Sequence, residues 1–146
     1  MNIHQDFKEL LELLTGFEVD YMIIGGYAVA FHGHPRFTKD LGIFFDYASE
    51  NIERIIKALE KFGFPRESLV SAPFANGNKI VTFGVPPLRV DFINQIDGVS
   101  FSQAKPGRVL GSYGEVGVYF IGREDLIKNK LATGKTRDKA DVEELS

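Results

Sequence analysis

The chain has 146 residues, a length typical of a single domain, and we expect one domain over residues 1–146. Hydrophobic residues make up 44% and charged residues 25%, so the chain can bury a core, while a formal charge of -3 disfavours sequence-independent nucleic-acid binding over the whole surface. The absence of cysteine excludes disulfides, thiolate metal sites and cysteine nucleophiles.

We expect neither a secretion signal nor a membrane-spanning segment in this sequence. Its first twenty residues mix charges into the apolar positions, whereas a signal peptide needs an unbroken apolar stretch. No apolar run approaches the roughly 20 residues that a membrane-crossing helix requires. We therefore expect a soluble, cytoplasmic protein with no membrane partner.

Helices and strands alternate in the first half of the chain. Their predicted order is an amphipathic helix over 3–14 that Gly16 stops, a buried strand over 21–24, the start of a helix at 27–31, a strand over 41–45, and a helix from its N-cap Ser49 to about Gly63.

Strands dominate the second half. The predicted order is a loop over 72–78, a hairpin of strands 79–83 and 88–93, a tight glycine loop over 111–114, a strand over 114–121, a helix over 123–131 stopped by Gly134, and a short helix from about Asp138. This order predicts an α/β or α+β fold with a mixed, mostly antiparallel sheet flanked by helices.

Asp91 is the most informative polar residue, because it lies between Val90 and Phe92 in a predicted strand. A carboxylate in such a position needs a partner or a cation. Arg89 shares its face but lies about 7 Å along the strand, so an ion pair is possible although stretched. The diglycine Gly25-Gly26 and a second aspartate, Asp40, favour a binding site instead.

These residues form a pattern that resembles a known superfamily. Thirteen residues separate Gly26 from Asp40, the segment Arg36-Phe37-Thr38-Lys39-Asp40 precedes the second strand, and the tail reads DLIKNKLATGKTRDKADVEEL. Together they resemble the DNA polymerase β-like nucleotidyltransferases, and more narrowly the small stand-alone prokaryotic branch related to abortive-infection toxins. The resemblance covers residues 19–145.

The resemblance implies binding of a nucleoside triphosphate with Mg²⁺ and transfer of a nucleotidyl group to a hydroxyl on RNA, protein or a small molecule. Carboxylates two apart on a strand share one face and can clamp two metal ions about 4 Å apart. On this interpretation Asp40 and Asp91 are the catalytic, metal-binding residues. The nucleotide would be bound by Gly25, Gly26, Arg36 and Thr38, with Lys130 as a further contact to the triphosphate.

The sequence departs from the superfamily pattern at Gly42, where a second carboxylate is expected two residues after Asp40. Losing one of three anionic ligands should weaken metal binding. Three explanations stay open: the site is catalytically degraded, a substrate or another residue supplies the ligand, or Gly42 is an introduced substitution.

The alternative functions follow from the same departure. One is a degenerate nucleotide-binding or antitoxin-like module with a toxin–antitoxin partner, and another is an interaction domain that binds no nucleotide. Two further groups have simpler interpretations. We interpret His32 and His34 as loop residues near a substrate cleft rather than zinc ligands, and Lys130, Lys135 and Arg137 as partners of Asp138 and Asp141 in an ion-pair network between two helices.

Overall fold

The structure is a computed structural model that describes residues 4–34, 38, 40–84 and 89–145, without the side chains of residues 136 and 137. Among these residues, no helix combines the length and apolar character that crossing a membrane would need.

Seven α-helices and six strands are formed by the described residues. The helices are α1 (Gln5–Gly16), α2 (Gly26–Phe31), α3 (Ser49–Phe62), α4 (Arg66–Val70), α5 (Phe101–Ala104), α6 (Arg123–Thr133) and α7 (Thr136–Leu145). The strands are β1 (Tyr21–Ile24), β2 (Asp40–Phe45), β3 (Ile80–Phe83), β4 (Arg89–Ile93), β5 (Val109–Tyr113) and β6 (Val116–Phe120).

The strands form one sheet in the order β3-β4-β2-β1-β6-β5. Strands β1 and β2, β3 and β4, and β5 and β6 pair antiparallel, whereas β2 with β4 and β1 with β6 pair parallel. The predicted mixed, mostly antiparallel sheet with flanking helices is therefore confirmed, and so is the β3–β4 hairpin. Its connection, residues 85–88, lies outside the described residues, as does Ile3.

One face of the sheet forms the centre of the core. Register places Ile23 beside Ile43 and Phe120, and Ile43 beside Phe92, and all four side chains are buried. Helix α2 covers this face, because the ring of Phe31 stacks on Phe120 with centroids 4.0 Å apart. The residues that alternate with these four project from the opposite face.

The predicted glycine loop over 111–114 is wrong. Gly111 to Tyr113 belong to strand β5, paired with β6, and the turn occupies only residues 114 and 115. A Cβ at Gly111 would lie 2.5 Å from the Phe31 ring, so this glycine makes room for an aromatic side chain rather than for a turn. Glycine in a strand often marks such a close approach.

The start of α3 also differs from the prediction. The N-cap is Ala48 and Ser49 is the first helical residue, without a side-chain cap. The Asp46 carboxylate accepts a hydrogen bond from the Ala48 amide at 3.0 Å. The chain therefore enters this helix with its backbone fixed by Asp46, and Ser49 has no capping role.

Candidate functional site

The diglycine turn and the strand aspartates meet at one end of the sheet. In the parallel pair β2–β4, Asp40 is opposite Arg89 and Gly42 is opposite Asp91. Residues two apart share a face, so all four positions lie on the face opposite the aliphatic and aromatic core described above. Diagonal neighbours of this kind have Cα atoms about 7–8 Å apart, so Asp40 and Asp91 flank one small area of the sheet.

The diglycine turn connects β1 to α2 beside this area. Gly25 has φ 71° and ψ -147°, a conformation that glycine adopts readily and residues with a Cβ do not. A Cβ on Gly26 would lie 2.8 Å from the side chain of Thr38, so this position needs glycine because of packing. Thr38 therefore contacts the turn, while its partner in the motif, Arg36, lies outside the described residues.

Asp91 is held by two neighbours within the sheet. Its Oδ1 atom accepts hydrogen bonds from Thr82 Oγ1 at 2.7 Å and from Arg89 Nε at 3.0 Å. The ion pair that the sequence predicted to be possible but stretched is thus present. The Asp91 side chain is 15% exposed, so it faces the surface without being free in solvent.

Gly42 lies between Asp91 and Ile24, and the Ile24 side chain packs against its α-carbon. Ile24 pairs with Gly42 on the other side, and a Cβ placed on Gly42 would lie 3.1 Å from Ile24 Cγ1. Gly42 is absent from the glycines with positive φ, so its backbone does not require glycine. A Cβ at position 42 would need Ile24 to move by a few tenths of an ångström.

Asp40 is exposed at the start of β2. Burial is the main cause that raises the pKa of Tyr27 on α2, and the charge of Asp40 adds to this effect. Across the parallel pair, Asp40 is the direct neighbour of Arg89 on β4.

Lys130 lies in an ion-pair network between α6 and α7. Its ammonium group is 3.0 Å from Asp138 Oδ1 and 3.3 Å from Asp141 Oδ2, and its side chain is 9% exposed. This confirms the predicted network for Lys130, Asp138 and Asp141. The Arg137 side chain lies outside the described atoms.

The two histidines have neighbours away from the motif. His32 Nε2 lies 2.8 Å from the carbonyl oxygen of Ile121, and His34 Nδ1 lies 3.8 Å from Glu144 Oε2. These contacts tie the segment before β2 to the C-terminal part of the chain.

The side chains present fit one magnesium ion better than two. Within the described part of the chain, no group of three or more histidine, aspartate or glutamate residues could hold a metal ion. Magnesium is commonly bound by one or two carboxylates together with substrate phosphates, and Asp40 and Asp91 supply that number. The second ion of a two-metal site would lack the carboxylate that Gly42 replaces.

A separate cavity, which the sequence interpretation missed, opens at the other end of these strands. It has a volume of about 730 Å³, and its lining includes Asp46, Tyr47, Asn94, Asp97 and Gln103. None of the motif residues lines it. No sequence motif marked this cavity, because its polar residues are scattered over loops and the short helix α5.

Comparisons with known proteins identify the fold. No protein-family model matches the sequence, and no curated protein matches it closely. Among solved structures, the chain is similar to the lincosamide antibiotic adenylyltransferase LnuA, bound to lincomycin, with a TM-score of 0.54 and 17% identity over 99% of this chain and 98% of that one. The structural likeness, which spans essentially both chains, shows that this protein has a nucleotidyltransferase fold.

Proposed function

We propose that this protein is a nucleotidyltransferase that binds a nucleoside triphosphate with Mg²⁺ and transfers a nucleotidyl group to a hydroxyl acceptor. The observation that carries the proposal is the register of β2 with β4, which brings Asp40 and Asp91 to one face beside the diglycine turn. The same arrangement of turn and carboxylates is what the motif resemblance implies, and the fold agrees with it.

Each part of the site has a role in this proposal. The backbone at Gly25 permits close approach of the phosphates, since a Cβ there would have no described atom within 4 Å. Asp40 and Asp91 would hold the metal ion. When bound, Mg²⁺ neutralises phosphate charge and orients the triphosphate for attack. Thr38 fixes the turn by packing against Gly26.

Of the two cationic residues that the motif suggested as nucleotide contacts, the proposal keeps Arg36 and leaves out Lys130. Arg36 is kept as a phosphate contact on the strength of the motif alone. Lys130 is not included, because its ammonium group already has two carboxylate partners within 3.3 Å. Removing it from those partners would leave two buried anions without a cation.

The acceptor class follows from the fold only in general terms. LnuA is named for a small-molecule acceptor, a lincosamide antibiotic, which favours a small hydroxylated compound over RNA or protein as the first class to test here. The link to abortive-infection toxins, and with it a toxin–antitoxin partner, remains a prediction from the motif and tail.

Gly42 favours a second function, that of an antitoxin-like module that binds a nucleotide but does not transfer a nucleotidyl group. The position paired with Asp91 has no carboxylate, and Asp91 itself is engaged by Arg89. Such a protein would bind nucleotide at the same place but show no turnover. Binding and transfer therefore have to be measured separately.

The test combines calorimetric titration of each NTP, with and without Mg²⁺, with transfer from α-labelled NTP. We expect the wild type to bind an NTP, and Asp91→Ala to weaken that binding by about tenfold or more, because a charged ligand is lost. Asp97→Ala, an exposed aspartate in the separate cavity, is the matched control and should change nothing. Gly42→Asp should increase the dependence on Mg²⁺, since it restores a carboxylate next to Asp91.

The outcomes separate the two functions. Label transfer by the wild type supports the enzyme, whereas binding without transfer, with transfer gained in Gly42→Asp, supports the module. If no variant binds any NTP, both functions are rejected.

A further inference from the structure

The proposed nucleotide site contains a cation of its own. Arg89 is the first residue of β4, and its Nε atom donates to Asp91 Oδ1 at 3.0 Å. That oxygen also accepts from Thr82 at 2.7 Å. One oxygen of the carboxylate expected to bind metal is therefore already occupied by two donors from the protein.

The Arg89 guanidinium is only partly used by these contacts. Its side chain is 40% exposed, and among the described residues its hydrogen bond runs through Nε alone. An arginine carries five N–H donors in a planar fork, so the terminal nitrogens remain able to bind an anion. Phosphate and carboxylate groups both match the geometry of this fork and can accept two parallel hydrogen bonds from it.

Arg89 is protonated, as arginine side chains in proteins always are. The hydrogen bond with Asp91 raises the pKa of Arg89 most, and the charges of Asp91 and Asp40 raise it further. Asp40 is its direct neighbour across the parallel pair. The arginine is therefore a permanent positive charge at the end of the sheet that also carries the diglycine turn.

Gly42 and Arg89 both make the site less negative than a site with three carboxylates and no arginine. Three carboxylates without an arginine would repel a triphosphate strongly unless two divalent ions were bound. Here two carboxylates face one guanidinium, and Gly42, opposite Asp91, adds no third carboxylate. The cluster of Asp40, Asp91 and Arg89 thus carries one net negative charge. It needs fewer divalent ions than a three-carboxylate site to bind a triphosphate.

Resting on the proposed function, we infer that Arg89 binds the polyphosphate of the nucleotide and competes with the divalent ion for Asp91. Two effects of opposite sign follow. Loss of the guanidinium weakens nucleotide binding, because a charge-assisted contact to phosphate is lost. It strengthens binding of a divalent ion alone, because Asp91 loses a positive neighbour 3.0 Å away.

The experiment uses Arg89→Gln with two probes. ATP is titrated calorimetrically with Mg²⁺ and, separately, with EDTA, and Mn²⁺ is titrated without nucleotide by electron paramagnetic resonance. We expect ATP binding to weaken by about tenfold to a hundredfold, with the larger loss in EDTA, and Mn²⁺ binding to become several-fold tighter. Arg89→Lys keeps the positive charge but lacks the planar fork of N–H donors. Its affinities for ATP and Mn²⁺ should therefore lie between those of the wild type and those of Arg89→Gln.

Arg54→Gln is the matched control, because Arg54 is an exposed arginine on α3. It should leave both titrations unchanged. Wild-type ATP binding that Arg89→Gln leaves intact would overturn this inference while the proposed function stands. A parallel loss of ATP and Mn²⁺ binding would show a merely structural role for Arg89. Failure of the wild type to bind ATP or any other NTP would reject inference and function together.

Discussion

At the scale of single residues, Gly25 and Gly26 are glycines for different physical reasons. Gly25 has φ 71° with ψ -147°, which is a backbone requirement. Gly26 has an ordinary φ, but its α-carbon is packed against Thr38. The diglycine motif therefore combines a turn that only glycine adopts easily with a close contact to the segment that leads into β2.

This difference predicts the effect of Gly25→Ala. The substitution forces a residue with a Cβ into a sparsely populated backbone conformation, which should lower the free energy of unfolding by about 1–3 kcal/mol in urea denaturation. Gly16→Ala is the control, because Gly16 is a helical residue without positive φ, and a methyl group on its α-carbon would meet no described atom within 4 Å. Equal midpoints for the two variants would contradict the conformational argument.

The contact between Arg89 and Asp91 shows what spacing in a sequence can and cannot predict. Strand alternation correctly predicts that the two residues share a face about 7 Å apart along the chain. It does not predict the side-chain conformation, and the long arginine side chain lies along the strand to reach Asp91 at 3.0 Å. The placement of the carboxylate and a possible ion pair with Arg89 could be predicted, but the side-chain conformation that forms the pair could not.

At the scale of elements, the helices α6 and α7 are joined by a nearly buried cation. Lys130 of α6 contacts Asp138 and Asp141 of α7, and Thr133 also donates to the Asp138 carboxylate. Burial raises the pKa of Asp138, but the hydrogen bonds from Thr133 and Lys130 and the charge of Lys130 outweigh it and hold that pKa below its ordinary value.

The lowered pKa of Asp138 predicts a pH-dependent stability. A carboxyl group whose pKa is lower in the folded state contributes stability above the unfolded pKa of about 3.9, and this contribution is lost as pH falls through the folded pKa. Asp138→Asn should therefore cost about 1–3 kcal/mol of unfolding free energy at neutral pH. The difference from wild type should shrink below about pH 4.

Urea denaturation at several pH values measures this difference. Glu143→Gln is the matched control, because Glu143 is an exposed carboxylate on the same helix. A gap between wild type and Asp138→Asn that stays constant down to low pH would contradict the linkage to Asp138.

The elements that sequence reasoning missed are those fixed by contacts distant in sequence. Strand β5 contains Gly111 and Ser112, which individually favour turns, and it forms because β6 pairs with it and Phe31 fills the space above Gly111. The short helices α4 and α5, of five and four residues, are too brief to show a helical pattern. Long amphipathic helices such as α3 were predicted from their periodicity.

At the scale of the whole molecule, the parallel pairing of β2 with β4 creates the candidate site. It brings Gly42 next to Asp91, although almost fifty residues separate them in the chain. No local pattern encodes such a pairing, and the motif resemblance alone suggested that the two aspartates lie on neighbouring strands. The sheet order then leaves β3 at the edge, where Thr82 reaches Asp91.

The same sheet offers two different places for a ligand. The motif residues lie where β2 and β4 begin, whereas the cavity of about 730 Å³ lies where these strands end. A triphosphate requires cations and close backbone approach, which the first place provides through Arg89 and the diglycine turn. The cavity instead includes two aspartates and no lysine or arginine among its described lining residues.

Mapping of a nucleotide by amide chemical shifts tests the central claim most directly. ATP with Mg²⁺ is titrated into ¹⁵N-labelled protein, and the perturbed amides are located in the structure. We predict that the shifts concentrate at Gly25 and Gly26, at Asp40 to Gly42 and at Arg89 to Asp91. Shifts confined to residues 94–103 of the cavity, or no shifts at millimolar ATP, would contradict a nucleotide site at the diglycine end of the sheet.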